Sequence, residues 1–287
     1  EAAGFVHTDN EEADFVIYNT CSVRENANNR LYGHLGRMKV VKKNNPDMLI
    51  AICGCMMQEP DEIEKIKTKY KFIDIVFGTH NIFKFAELVH TKLNSEGMII
   101  DIWKDTNQIV EDLPDVRKYS FKSGVNIMYG CNNFCSYCII PFVRGSVRSK
   151  DFDTVIKEAK LLTEHGHKEI VLTGIHTGHY MSNNHDLTDL INELSKIDDL
   201  LRIRISSIEI TELNDKFLEM LKINKKVCNH LHIPLQAGSD EILKRMNRKY
   251  TKEQYLALVE KMKARIPGIV LSTDIIVGFP GETEEDF

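Results

Sequence analysis

Short apolar runs alternate with longer amphipathic stretches along almost the whole chain, and this alternation most narrows what it can fold into. Phe15-Val16-Ile17-Tyr18 and Leu49-Ile50-Ala51-Ile52 read as buried strands, and Ile73 to Phe77 reads more weakly as a third. Helical spacing fills the intervals from Glu25 to Lys43 and from Glu59 to Lys69. A strand that returns to its sheet through a helix returns parallel, so this order predicts a doubly wound parallel sheet. A second series opens at Val125-Asn126-Ile127-Met128. It continues with helix 152–165 (Asp151 or Asp153 as cap), strand 169–173, helix 187–194, strand 202–208, helix 214–221, strand 230–235, helices from Ser239 and Lys252, and strand 269–277. Such a run of βα units predicts a barrel or partial barrel whose functional loops follow the strand C-termini.

The fold class expected is therefore α/β: an N-terminal doubly wound domain over 1–105, a linker over 106–123 where Pro114 and scattered charges break the periodicity, and a partial barrel of TIM type over 124–287. With 287 residues, two units of this size can each bury a core. The chain reads as truncated at both ends: Glu1 to Phe5 resembles the last turn of a helix closed by Gly4, and Thr283 caps a helix that has hardly begun. At 43% hydrophobic and 28% charged residues the composition is that of an ordinary globular protein, without an apolar run long enough to span a membrane and without a charged-then-apolar leader. A cytoplasmic location with no membrane partner is expected. The net charge of −5 argues against a surface that binds nucleic acid throughout, while leaving room for local basic patches.

The seven cysteines are mostly grouped, which in a reducing compartment points to metal or redox chemistry. The strongest group is Gly130-Cys131-Asn132-Asn133-Phe134-Cys135-Ser136-Tyr137-Cys138, directly after the first barrel strand. Three thiolates so spaced can hold three irons of a cubane and leave the fourth without a protein ligand, whereas clusters confined to electron transfer are usually fully ligated. An open iron suits a chelating amino acid such as the methionine part of S-adenosylmethionine. The competing reading is structural zinc, which needs a fourth ligand; His176, His179 or His232 would have to fold back to supply it.

Cys-x3-Cys-x-aromatic-Cys after a first barrel strand resembles the signature of the radical S-adenosylmethionine (SAM) enzymes, and Tyr129 to Ser149 resembles the methylthiotransferases that act on transfer RNA. Asn19-Thr20-Cys21-Ser22-Val23-Arg24 and Cys53-Gly54-Cys55-Met56-Met57-Gln58 are similar to that family's amino-terminal domain. Leu231 to Gln236 and Gly278 to Thr283 are similar to its barrel. The resemblance implies two [4Fe–4S] clusters in the full-length protein: a radical-generating one on Cys131, Cys135 and Cys138, and an auxiliary one on three amino-terminal cysteines. Cys21 and Cys55 stand at two of those three positions and the third precedes Glu1, so the auxiliary cluster is incomplete here. Cys53, at the end of its strand, reads as buried structure, and Cys228 as a core thiol.

The same resemblance places Tyr137 near the adenine of SAM, Gly174 at its methionine, Glu209 and Gln236 at its ribose or amino acid, and Arg248 at its carboxylate. Arg144, Arg148 and Lys150 either meet RNA phosphates or decorate a surface. His176 and His179 remain unassigned, because hydrogen abstraction by a radical needs neither.

The implied reaction replaces C2–H of an N6-modified adenosine 37 by a methylthio group. One SAM methylates sulfur at the auxiliary cluster, and a second supplies the radical that removes the hydrogen. An anticodon loop of transfer RNA, a reducing electron donor and a sulfur donor are the partners implied. Tyr18 to Arg148 resembles the branch acting on N6-dimethylallyladenosine, whereas Leu172 to Gly178 and the stretch from His230 to Tyr250 resemble the branch acting on threonylcarbamoyladenosine. A methylthiotransferase acting on a ribosomal protein and a non-enzymatic iron–sulfur or zinc module are the alternatives of other classes.

Overall fold

The computed structural model describes residues 4–10, 12–22, 25–104, 106, 109 and 117–287, with Glu25 described in its backbone only. Glu1 to Ala3, Val23-Arg24 and most of the expected linker lie outside the described residues. Two compact units emerge, one formed by Glu1–Asp115 with Cys138–Gly145, the other by Val116–Tyr137 with Ser146–Phe287.

In the first unit, β1 (Phe15–Thr20), α1 (Glu25–Asn44), β2 (Leu49–Gly54), α2 (Pro60–Lys69), β3 (Ile75–Phe77), α3 (Phe85–Leu93) and β4 (Ile99–Asp101) form a parallel sheet in chain order. Strand β2 shows why helices cover both faces. Its side chains alternate, so Ile50 and Ile52 pack with Leu35 and Met38 of α1 and Ile66 of α2, while Ala51 and Cys53 pack with Leu88 and Val89 of α3. The doubly wound expectation holds. The third strand is shorter than expected, beginning at Ile75; just before it, the buried Asp74 carboxylate accepts from the Ile50 amide at 2.8 Å and pairs with Lys42 at 2.8 Å and Lys92 at 3.6 Å. Strand β4 is a correction to the sequence reading, which gave this unit three strands. Three residues among charges carry too little pattern to see, yet Ile99 pairs with Ile75.

In the second unit, β5 (Lys122–Tyr129) takes in the last two positions of the expected linker. It leads through α4 (Ile140–Arg144), which belongs to the first unit, to β6 (Arg148–Ser149), α5 (Phe152–Glu164) and β7 (Glu169–Gly174). A small hairpin of β8 (Met181–Ser182) and β9 (His185–Asp186) precedes α6 (Leu187–Leu194), β10 (Arg202–Ile205) and α7 (Asp215–Ile223). Then come β11 (His230–His232), α8 (Asp240–Arg245), α9 (Lys252–Arg265) and β12 (Val270–Ser272). Parallel β5, β7 and β10 lie side by side, with β6 antiparallel on the outer edge, and β11 pairs with β12. A bridge from Ile203 to Val227 and the bond from the Ile208 amide to the His232 carbonyl at 3.0 Å carry the curl from β10 to β11. The result is a curled half-barrel.

Helix starts follow the polar residues that mark them in the sequence. Asp151, Asn214 and Ser239 accept amide bonds as N-caps, and Asp186/Asp189 and Thr251/Gln254 close capping boxes. Val155, Ala159 and Leu162 form the buried stripe of α5 against Ile170 and Leu172 of β7. The late strands are shorter than the sequence suggests; Pro234, which has no amide to donate, stands just beyond the end of β11.

Gly54 ends β2 at φ 101°, and a Cβ there would collide with Thr20 and Asn19 of β1. Gly33, exposed within α1, has open space around it. Gly54→Ala should therefore destabilise the first unit by about 2 kcal/mol or more, and Gly33→Ala should stabilise it by about 0.5–1 kcal/mol. Urea unfolding followed by the fluorescence of Trp103, the single tryptophan, reads both.

Candidate functional site

All the parallel strands of the half-barrel run the same way, so the loops after β5, β7, β10 and β11 gather at one end. Cys131 and Cys135 lie on the loop after β5, and His176 and His179 on the turn after β7. Glu209 and Glu212 follow β10, and Gln236 follows β11. The side chains touch from loop to loop. Cys131 Sγ is 4.0 Å from His176 Nδ1, Arg248 donates to Cys135 Sγ at 3.4 Å, and the same guanidinium pairs with Glu209 at 3.0 Å.

The cysteine loop is held by the corner between α8 and α9. Ser136 donates its amide to the Met246 carbonyl at 3.1 Å and its hydroxyl to that of Arg245 at 2.8 Å. The Asn247 amide group donates to the carbonyls of Asn133 and Phe134 at 3.2 and 2.9 Å. Phe134 and Asn247 both have positive φ, 49° and 59°, a conformation that asparagine tolerates and phenylalanine rarely adopts. Asn247 and Ser136 were missed as site-building residues from the sequence; the signal was an asparagine directly after a short helix.

Arg248 is almost completely buried, its side chain 4% exposed. Burial alone would weaken its proton affinity, but Glu209 outweighs that and holds the guanidinium firmly charged. Its Nε donates to Tyr250 Oη at 3.0 Å, and burial pushes that phenol up to about 12. Nη2 has no hydrogen-bond partner among the described residues. A buried, unsatisfied guanidinium N–H beside a cluster-type cysteine fits a bound carboxylate.

The other expected residues fall as follows. Tyr137 is 40% exposed, with its ring 6.5 Å from that of Phe279. Gln236 sits at φ 73°, its backbone bonded on both sides to residues 274 and 276. Gly174 serves strand packing, since a Cβ there would lie 2.9 Å from Met128 Cβ and 3.1 Å from Thr177 Cγ2, beside an irregularity in the β5–β7 register. Lys150 is held by Glu158 at 2.7 Å and Arg148 lies over the Tyr129 ring at 6.0 Å, so this basic stretch is engaged with the protein itself.

The His176 ring is buried and stacks on His179 at 4.2 Å. Burial opposes its protonation, yet the Cys131 sulfur and the Glu212 and Glu209 carboxylates prevail and hold it at about 9.

Within the first unit, β1 and β2 are in register, Thr20 opposite Gly54, so Cys21 and Cys55 each leave the sheet one residue beyond a paired strand end. Cys21 is exposed. Cys55 is buried and accepts from Arg144 Nε at 3.0 Å, a role for Arg144 that sequence reasoning did not foresee. Cys53 faces the α3 core, as expected, and burial pushes its thiol up to about 11. Cys228 is a correction: it is half-buried rather than in the core, because it follows the single bridge at Val227 instead of a full strand.

The half-barrel, the three-thiol loop and the charged residues at the strand ends together define an enzyme of the radical SAM type. Residues 125–287 match the radical SAM superfamily and residues 1–78 match the uncharacterized protein family UPF0004. The chain belongs to the radical SAM superfamily. It is 54% identical over 290 residues to a protein of Lachnoclostridium phytofermentans named tRNA-2-methylthio-N(6)-dimethylallyladenosine synthase, with 100% of this chain and 64% of that protein covered. It is 50% identical over 285 residues to one of the same name from Alkaliphilus oremlandii, with 98% and 60% covered. The chain thus spans 60 to 64% of the length of these curated relatives. Among solved structures, the radical SAM methyltransferase TsrM from Kitasatospora setae superposes with a TM-score of 0.67 at 16% identity, over 95% of this chain and 58% of that one. The cobalamin-dependent SAM radical enzyme OxsB gives 0.62 at 13% identity, over 91% and 40%. At such identities these two establish the fold. No helix among the described residues is long and apolar enough to cross a membrane.

A thiol at about 11 is roughly 0.1% ionised at pH 8. Iodoacetamide at that pH should therefore leave Cys53 unmodified in the folded, metal-free chain while alkylating exposed Cys21, as read by peptide mass spectrometry; equal labelling would contradict the placement. Arg248→Ala should cost about 3 kcal/mol, since it strands the Glu209 carboxylate, and chemical denaturation followed by circular dichroism measures it.

Proposed function

We propose that this chain is the catalytic portion of an enzyme that methylthiolates C2 of N6-dimethylallyladenosine 37 in transfer RNA. The observation that carries the reading is the full-length alignment, at 54 and 50% identity, with relatives named for that reaction, together with a three-thiol loop at the strand ends of a half-barrel.

Cys131, Cys135 and Cys138 hold three irons of a [4Fe–4S] cluster, and their donor set suits that group because no fourth protein thiol joins the loop. When bound, the cluster and SAM supply one-electron cleavage of a sulfonium and hence a carbon radical able to take hydrogen from an aromatic C–H. The residues around them orient and shield. Arg248 offers its unpaired Nη2–H to the methionine carboxylate, and Glu209 keeps that guanidinium charged and fixed. Tyr137 presents a half-exposed ring for stacking on adenine. Gln236 and Gly174 contribute backbone shape at the strand ends. In the amino-terminal domain, Cys21 and Cys55 serve an auxiliary cluster. The anticodon loop of transfer RNA, a low-potential electron donor and a sulfur donor are the partners this chemistry requires, and the cytoplasm is where they meet. The reading keeps an amino-terminal domain over 1–105, a linker over 106–123 and a radical core over 124–287, with β5 beginning inside that linker at Lys122.

Anaerobic reconstitution with iron and sulfide, then dithionite, SAM and transfer RNA carrying N6-dimethylallyladenosine or N6-threonylcarbamoyladenosine, tests the reading by mass spectrometry. Formation of 5′-deoxyadenosine, lost to background in Cys135→Ala, is expected for the radical core. A methylthio product on the dimethylallyl substrate and not on the other is expected for the substrate. A folded, iron-loaded chain that yields no 5′-deoxyadenosine would sink the proposal, and product on the threonylcarbamoyl substrate alone would overturn the choice of adenosine.

A further inference from the structure

His176 and His179 stand three positions apart across the 3-10 turn Thr177–His179, whose first bond runs from the His179 amide to the His176 carbonyl at 3.0 Å. Side chains three apart eclipse in that geometry, so the two rings stack, 4.2 Å apart at 15°. Both present Nε2 to a single oxygen, Glu212 Oε1, at 3.5 Å from His176 and 3.1 Å from His179. Four features distinguish this from an ordinary ion pair. One carboxylate oxygen faces two stacked rings at once. His176 is 4% exposed, and its Nε2 makes no hydrogen bond although it points at the shared oxygen. The turn is tied to the β10 loop by the Thr177 hydroxyl, which donates to the Ser207 carbonyl at 2.7 Å. Gly178 lets Glu212 lie against the turn, since a Cβ there would be 2.5 Å from Glu212 Cγ and 2.6 Å from its Cβ.

These distances suit a metal. Donor atoms about 2.0–2.1 Å from a tetrahedral ion stand about 3.3 Å from one another; the two nitrogen–oxygen distances, 3.1 and 3.5 Å, bracket that spacing, all three donors lie within 4.8 Å of one another, and a turn of the rings out of their stack would aim both in-plane lone pairs at one ion. Two imidazoles and a carboxylate are a borderline-soft set, suited to zinc or iron(II) rather than calcium or magnesium. His179 and Glu212 also line a cavity of about 330 Å³ with Tyr180, Leu187, Ile208 and Phe217, which leaves room for water or a small ligand beside the ion.

We propose that His176 Nε2, His179 Nε2 and Glu212 Oε1 form a second metal site, for one divalent ion of the zinc class, with its open coordination position toward this cavity. The site uses none of the thiols and stands apart from the methylthiolation reading. His176 is the one residue that reaches both centres, with Nδ1 toward Cys131 and Nε2 toward the ion.

The test uses the full chain carrying Cys131→Ala, Cys135→Ala and Cys138→Ala, stripped with a chelator and titrated anaerobically with cobalt(II) and zinc(II). One equivalent of cobalt should bind with d–d absorption and no sulfur charge-transfer band, and X-ray absorption of the zinc form should show only nitrogen and oxygen ligands, imidazole among them. His179→Ala and Glu212→Gln should each weaken binding at least tenfold, and Gly178→Ala should weaken it by displacing Glu212, with circular dichroism confirming the fold. A folded chain that binds no ion, an ion with sulfur ligands, or an affinity unchanged in His179→Ala would overturn the site. If the triple variant does not fold, zinc X-ray absorption of the parent chain with and without His179→Ala decides by the loss of an imidazole shell.

Discussion

A buried guanidinium holds the functional end of the half-barrel together. Arg248 lies where a charge is costly to place, and it is tolerated because three loops answer it: Glu209 after β10, Cys135 after β5, and Tyr250 after α8. Tyr250 passes the connection on, donating to the carbonyls of Pro234 and Leu235 after β11 at 2.9 Å each. Removing the cation would therefore unpair groups on several loops rather than one. Nη2 is the part of this network the protein leaves unanswered, which is why a carboxylate ligand would complete the arrangement rather than disturb it.

Much of the scaffold was legible in the sequence because it follows from local rules. The 3.6-residue periodicity of α5, the apolar runs of β2 and β7 and the cap at Asp151 are written in neighbouring residues. Short elements were not legible. Strand β4 needs β3 beside it to be a strand at all, and the late strands end where pairing with a neighbour runs out rather than where the apolar run ends. Cys228 illustrates the same limit, for the lack of a partner at ligand spacing suggested a core position that only a complete ladder at Val227 would have provided.

The candidate site divides in the same way. Spacing alone marked Cys131, Cys135 and Cys138, because three thiols on one short loop carry their chemistry with them. What braces them comes from more than a hundred residues further along the chain, at Arg245 to Arg248, and no local pattern announces Asn247 as the residue that bonds Asn133 and Phe134. The histidines after β7 were visible but uninterpretable, since Glu212 reaches them only through the parallel adjacency of β7 and β10.

One local device recurs in both units, and it explains why thiols stand where they do. Gly54 ends β2 at φ 101° directly before Cys55, and Gly130 follows β5 at φ 70° directly before Cys131. A left-handed residue turns the chain out of the strand direction, so the next side chain no longer alternates between the sheet faces and is freed from the core pattern that buries Cys53 one residue before Gly54. Parallel sheets crowd their loops together at one end, and a glycine at the exit lets a cysteine enter that crowd without a clash from its own neighbour. For Gly54 the need is visible in the backbone of β1, which occupies the space where a Cβ would stand. The same two residues, glycine then cysteine, thus end a buried strand in each unit.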